Sequence, residues 1–300
     1  MKKILLAVAL GLLALSLIAK PVPMRGSEQH KTQEAYQVSP FTSLVLQGHV
    51  EVEFTQNQED KYTVSYTGPY NLVEQMHIAS QDGTLHIKYS KPITVLGDQH
   101  VRVFVSAPDI SRMEVKEAGE IHSHAPLAVQ EIALITDGKG EIELDDVQAQ
   151  SVMADVSGES EIDIGMLMCQ TLHVKAINSA SFDAQRSDCD TVHAQAMNRA
   201  SVSISGLNGQ NVMAENWHSS ETELKGRVTA ASLTAHDHSE IDAKALQAEN
   251  ANVSAERSAH IGVRVAGTLN AQADKRGVVE YKGWPEVINK TGKGTVKQNK

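Results

Sequence analysis

The most constraining feature of the sequence is a repeat of about twenty residues that runs through most of the chain. The segment Cys169-Gln-Thr-Leu-His173 returns as Cys189-Asp-Thr-Val-His193. One mostly apolar position recurs every 18 to 21 residues, at Ile121, Ile142, Ile162, Phe182, Val202, Thr222, Ile241, Ile261 and Val279. So short and constant a period indicates that one small unit stacks on copies of itself.

Within each unit, apolar residues alternate with polar ones, which is the pattern of a β-strand. Two such strands recur, as in Ile142-x-Leu144 followed by Val152-x-Ala154, and then Ile162-x-Ile164 followed by Leu172-x-Val174. No apolar stripe with helical spacing persists, and β-branched residues crowd the apolar positions. We therefore predict an all-β chain whose parallel strands stack about 4.8 Å apart in about nine coils of a single-stranded parallel β-helix.

The turn between the two strands supports this prediction. Equivalent turn positions hold only residue types that tolerate a left-handed backbone: Gly138, Gly158, Asn178, Asn198, His218 and Asp237. A single column with one unusual dihedral requirement indicates that every unit makes the same turn.

The flanking segments differ from the repeat. Residues 1–19 have two lysines, an apolar run and Ala19, which is typical of a signal peptide, although an uncleaved membrane anchor stays open. Residues 20–35 are polar, and we predict a flexible linker there. Residues 36–110 contain four alternating segments, which predict antiparallel strands that begin and cap the helix. The β-helix itself is assigned to residues 111–300, with a C-terminal cap where Trp284 and Pro285 break the period.

Four passages resemble the head GIN domain family, which is labelled as an auto-transporter adhesin of unknown function. They are "FTSLVLQGHVEVEF", "DGTLHIKYS", "VFVSAPDISRMEVKEAGEI", and "YKGWP" together with "TGKGTV". The coils "DGKGEIEL" and "VSGESEIDI" are similar to the repeating Ser-Gly-x-Gly-x-Ile motif of that family, whereas later coils have Asn, His or Ser in place of Gly. The resemblance covers residues 36–300. It implies a right-handed parallel β-helix at the bacterial cell envelope, with no established enzymatic activity.

Register in the stack also predicts which outward side chains form columns. On the second strand these are largely acidic and include Glu141, Glu143, Glu161, Asp163 and Asp183, with no basic residues expected between them. Neighbouring like charges are destabilising, so the face calls for an explanation. It either binds a cationic partner or divalent cations, or it is a solvated face that keeps an exposed sheet from aggregating.

The first strand presents an apolar line at Ile177, Met197 and Trp217 on a face that should be wet. It could be a ligand platform, an interface between copies of the chain, or a surface packed against the N-terminal strands. Cys169 and Cys189 should be neighbours one coil apart, and a disulfide and two buried thiols are both left open. Export would place these cysteines in an oxidising compartment.

Composition limits the functional classes. The formal net charge is −10, which argues against nucleic acid as a partner. The chain has no phosphate-binding loop, no nucleophile elbow and no zinc-binding motif, and we expect no cofactor, no metal and no catalytic residues. We predict an exported protein, periplasmic, surface-bound or secreted, that binds a carbohydrate or a protein without catalysis. The alternatives are an envelope structural or stress-related protein without a diffusible ligand and, third, an enzyme acting on polysaccharide.

Overall fold

The structure is a computed structural model that describes residues 20–299, so the predicted signal peptide lies outside the described residues. One short helix, α1 (Tyr70–Val73), accompanies twenty-three strands in the described part of the chain. The N-terminal strands are β1 (Val22–Arg25), β2 (His30–Gln37), β3 (Ser43–Gln47), β4 (Val50–Gln56), β5 (Thr63–Pro69), β6 (Met76–Gln81), β7 (Thr84–Tyr89), β8 (Ile93–Leu96) and β9 (Val101–Ala107).

The remaining strands build a stack. They are β10 (Arg112–Glu117), β11 (Glu120–Ser123), β12 (Leu127–Ala128), β13 (Glu131–Gly138), β14 (Glu141–Gly158), β15 (Glu161–Asn178), β16 (Ser181–Asn198), β17 (Ser201–His218), β18 (Glu221–Ala235), β19 (Glu240–Ala255), β20 (His260–Ala273), β21 (Val278–Lys282), β22 (Val287–Thr291) and β23 (Thr295–Gln298). Strands β10 to β23 pair only in parallel, and the chain forms a parallel β-solenoid of about nine turns.

The inner row predicted from the repeat is confirmed. Ile142 pairs with Ile162, Ile162 with Phe182, and Phe182 with Val202, each one coil apart. The row continues through Thr222, Ile241, Ile261 and Val279. Every member is buried, so the apolar repeat supplies one continuous core along the stack.

The row holds one polar residue, and its partner lies on the neighbouring face of the interior. Thr222 donates its hydroxyl to Asn216 Oδ1 at 2.7 Å, and Asn216 Nδ2 donates to the Glu240 carbonyl at 2.7 Å. Both side chains are fully buried. A buried polar group without a hydrogen-bond partner is costly. Thr222 and Asn216 therefore satisfy each other by a hydrogen bond at positions where other coils place apolar residues.

The left-handed turn column is also confirmed. Gly138 and Gly158 have φ of 83° and 89°, and the Asn, His and Asp positions have φ between 62° and 72°. A Cβ atom on Gly158 would lie 2.7 Å from the Gly138 carbonyl oxygen, so two neighbouring turns pack too closely there for a larger residue. The same turn recurs at Glu117, Arg257 and Lys275, which residue type alone did not predict.

The N-terminal segment differs in part from the prediction. Strands β2, β5 and β9 are antiparallel, as are β6 and β7. Strands β3 and β4, however, run parallel to β10 and β11 and extend the stack. The physical reason is the link between them: Gly48, with φ of 96°, repeats the left-handed turn, and Val52 lies under Ile121 in the inner row.

Residues 20–35 were predicted to be a flexible linker, and here the structure differs. β1 pairs with β8, and β2 pairs with β5, because the neighbouring strands offer free edges that a polar segment can complete with backbone hydrogen bonds. At the other end, β22 and β23 continue the parallel pairing beyond the point where the period breaks. No helix between residues 20 and 299 is long and apolar enough to span a membrane.

Candidate functional site

The acidic face consists of two adjacent outward columns on the second strand of the coils. One column runs through Glu120, Glu141, Glu161, Ser181, Ser201, Glu221 and Glu240, and the other through His122, Glu143, Asp163, Asp183, Ser203, Glu223 and Asp242. The serines divide the face. We call the part made of Glu141, Glu143, Glu161, Asp163 and Asp183 the lower acidic patch.

The part above the serines contains cations, contrary to the expectation that the acidic columns lack interleaved basic residues. Lys225 Nζ lies 2.8 Å from Glu223, and Lys244 Nζ lies 3.1 Å from Asp242. Lys297 likewise pairs with Glu280 at 2.8 Å. The first two lysines stand two residues after their partners, and alternate residues of a strand point to the same side. That spacing is the signal that could have revealed them in the sequence.

The lower acidic patch is not balanced in this way. Among the described residues, its one ion pair joins His122 Nδ1 to Glu143 at 3.1 Å. Burial, and after it the neighbouring carboxylates of Glu161 and Asp183, together raise the pKa of Asp163 to about 6. The pKa of Glu141 is raised for the same two reasons, burial first. The patch therefore holds like charges at a cost to stability.

This cost predicts a pH-dependent gain from Asp163→Asn. Because the folded-state pKa lies above the ordinary 3.8, the folded state binds more protons between about pH 4 and 6, and the free energy of unfolding falls as pH rises through that window. At pH 7.5 we expect the variant to be more stable than wild type by on the order of 1 kcal/mol, after allowing for solvent screening of a half-exposed group.

Chemical denaturation at pH 7.5 and at pH 3.5 measures this gain, which should disappear at the lower pH. Added salt at pH 7.5 serves as the control, because screening of the like charges should reduce the gain. A gain of equal size at both pH values would contradict the electrostatic origin.

The apolar row consists of Ile177, Met197 and Trp217, which are in register on successive coils and all half-buried. Trp217 stacks on His236, with ring centroids 5.7 Å apart and planes 14° from parallel. His236 Nδ1 lies 3.2 Å from Glu256 Oε2. His236 was not among the site residues predicted from the sequence, although it occupies the next position after Trp217 in the same column.

These contacts fix the indole of Trp217 in one orientation. The N-terminal strands pair with β10 and β11 at the other end of the stack, so strand pairing does not cover the row. The row is a partly exposed apolar line on a polar face.

Cys169 and Cys189 form a disulfide in this structure. The two residues pair in register on β15 and β16, and their Cα atoms are 4.7 Å apart, within the range that disulfides accept. The bond ties two successive coils together at the corner that follows the second strand.

A groove lies over this disulfide, and the sequence reasoning missed it. Its volume is about 780 Å³, which is the size of a small-molecule site. The floor consists of successive coils, while Gln56, Pro108 and Asp109 from the N-terminal segment form one wall. We call this the amide groove, because Gln130, Gln148, Gln150 and Gln170 line it.

No three His, Cys, Asp or Glu side chains between residues 20 and 299 are grouped so that they could hold a metal ion. The outward carboxylates stand side by side on a sheet and point the same way.

Comparison with known proteins identifies the family. The family model described as "Putative auto-transporter adhesin, head GIN domain" matches residues 40–205 and 194–285. The chain belongs to this family. The resemblance predicted from its sequence motifs is thereby confirmed. A search of curated proteins found no match to this chain.

Solved structures show the same fold at low sequence identity. A putative adhesin from Parabacteroides distasonis ATCC 8503 has a TM-score of 0.57 and 17% identity, over 92% of this chain and 100% of that one. A putative adhesin from Parabacteroides merdae ATCC 43184 has a TM-score of 0.55 and 17% identity, over 93% and 100%. A putative lipid binding protein from Parabacteroides distasonis ATCC 8503 has a TM-score of 0.51 and 17% identity, over 93% and 100%. At such identities the likeness concerns the fold alone.

Proposed function

We propose that this head GIN domain protein is exported and acts at the cell envelope or surface as an adhesin-like binding protein, without catalysis, for a carbohydrate or protein partner. The family description and the names of two similar structures, both putative adhesins, support a role of this kind. The signal-like segment at residues 1–19 and the disulfide are consistent with export to an oxidising compartment.

The observation that carries the proposal is the apolar row. Outward apolar side chains in a line lose favourable burial unless a partner covers them. Because Trp217 already stacks on His236, a partner that packs on its side chain would cost little further side-chain entropy. The exposed part of the row fits the apolar face of a sugar ring or an apolar side chain of a protein.

Trp217→Ala tests the proposal. We expect the mature protein to bind glycans on an array or to adhere to bacterial or host cells, and the substitution to weaken that binding about tenfold or more, as for an aromatic anchor. The matched control is Trp284→Ala, since Trp284 is 86% exposed and lies outside the row, and this variant should bind like wild type.

Two outcomes would contradict the proposal. If wild type binds no glycan and adheres to no cell, the protein is better explained as an envelope structural or stress-related protein. If Trp217→Ala and Trp284→Ala bind equally well, the apolar row is not the contact surface.

A further inference from the structure

The amide groove is a preformed concavity with a fixed wall and a fixed floor. Gln56 Nε2 donates to the carbonyls of Pro108 at 3.0 Å and Ala128 at 2.9 Å, and Gln56 Oε1 accepts from the Ala128 amide at 2.8 Å. The two bonds to Ala128 hold the wall to the stack, and the bond to Pro108 lies within the wall. The disulfide below joins two coils of the floor covalently. A ligand would therefore find the groove already shaped.

The side chains along the groove have unused hydrogen-bonding capacity. Gln130, Gln148, Gln150 and Gln170 are exposed, and none makes a side-chain hydrogen bond to another described residue. Gln150 and Gln170 occupy equivalent places on successive coils, between the pairs Ala149–Cys169 and Ser151–Thr171. Each amide offers two donors and an acceptor. Over three successive coils the amides follow a line about 10 Å long.

The charge of the groove excludes one class of ligand. Asp109, Asp188 and Asp190 line it, and no lysine or arginine does. An acidic concavity without cations repels a polyanion such as an acidic polysaccharide or nucleic acid.

The backbone excludes a second class. The floor strands β14, β15 and β16 already pair with the coils above and below, so a peptide cannot bind there by adding a strand. The free amides favour a ligand rich in groups that, like them, both donate and accept hydrogen bonds. Sugar hydroxyls have this property.

We propose that the amide groove is a binding site for a neutral oligosaccharide, separate from the apolar row. The proposal rests on the proposed function in that both require a binding protein, but it names a different surface and one ligand class. Amide side chains would exchange hydrogen bonds with the hydroxyls, and Asp188 and Asp190 would accept from further hydroxyls. Ala149 and Met168 would contact the apolar parts of the sugar rings.

Isothermal titration calorimetry on the full mature chain tests this site with four neutral probes, the hexasaccharides of cellulose, chitin, amylose and mannan. A galacturonate hexasaccharide is the acidic comparison. We expect at least one neutral probe to bind and the acidic probe not to bind. The double variant Gln150→Ala/Gln170→Ala should weaken binding about tenfold, because two hydrogen-bonding groups are lost. The matched control is Asn252→Ala/Asn270→Ala, which removes two stacked amides on another face.

The outcomes separate this inference from the proposed function. If the glutamine variant keeps full affinity while Trp217→Ala loses it, the sugar lies on the apolar row; the groove proposal is wrong and the proposed function stands. If no neutral probe binds but the protein still adheres to cells, the groove proposal again fails alone. If the acidic probe or a cationic peptide binds in the groove instead, the ligand class is wrong. Thermal unfolding of each variant verifies that the fold is intact.

Discussion

Replacing Phe182 with alanine should lower the free energy of unfolding by about 3 to 5 kcal/mol, the usual cost of removing a buried phenyl ring. Phe182 is fully buried and lies directly between Ile162 and Val202 in the inner row. Because each coil contacts only its neighbours, the cavity cannot be filled by a distant segment. The expected loss of stability therefore has two parts: the transfer free energy of the buried ring, and the cost of the cavity that remains in the stack.

Urea denaturation followed by circular dichroism measures this change. The matched control is Phe104→Ala, since Phe104 is 44% exposed on β9, and we expect a loss below about 1 kcal/mol there. Hydrogen exchange should in addition show lower protection in β15, β16 and β17 than in distant coils. A loss at Phe182 as small as that at Phe104 would show that the inner row is not packed as described.

Removal of the disulfide should cost about 3 kcal/mol. The bond closes a loop of 20 residues, and in the chain-entropy account such a crosslink limits the freedom of the unfolded chain by about this amount. Cys169→Ala/Cys189→Ala is the suitable variant, because Ala149 occupies the same column one coil below and shows that alanine fits there.

Denaturation with and without a reducing agent provides the comparison. Wild type should lose stability on reduction and approach the alanine variant, while the variant itself should not respond to the reductant. Equal stability of oxidised wild type and the variant would mean that the bond does not stabilise the fold. Free-thiol titration of the native protein verifies that the wild-type cysteines are paired.

Most of the stack could be predicted from the sequence because the spacing of residues along the chain determines which residues are neighbours in this fold. In a parallel stack with coils of constant length, a residue lies above the one about twenty positions earlier. The alignment of Ile142, Ile162 and Phe182, the left-handed turn at Asn178, and the meeting of Cys169 with Cys189 all follow from that relation.

The N-terminal strands were harder to predict because alternation is the same in parallel and antiparallel strands. Direction depends on the connection, and Gly48 makes the link between β3 and β4 a coil turn. Turns at Glu117 and Arg257 were missed for a related reason. Glu117 pairs with Gly138 and the Arg257 guanidinium contacts Asp237, so tertiary contacts hold both residues at positive φ although their residue type does not favour it.

The candidate sites likewise divide into those that spacing along the chain predicts and those that depend on tertiary contacts. The sequence by itself determined the coil, the inner core and the outward columns, including the lower acidic patch and the row that leads to Trp217, since each depends only on spacing along the chain. The tertiary structure alone decided how His236 packs on Trp217 and where the amide groove lies. Those features depend on side-chain orientation and on contacts such as Gln56 with Ala128, which join segments outside the repeat to it and which no sequence period encodes.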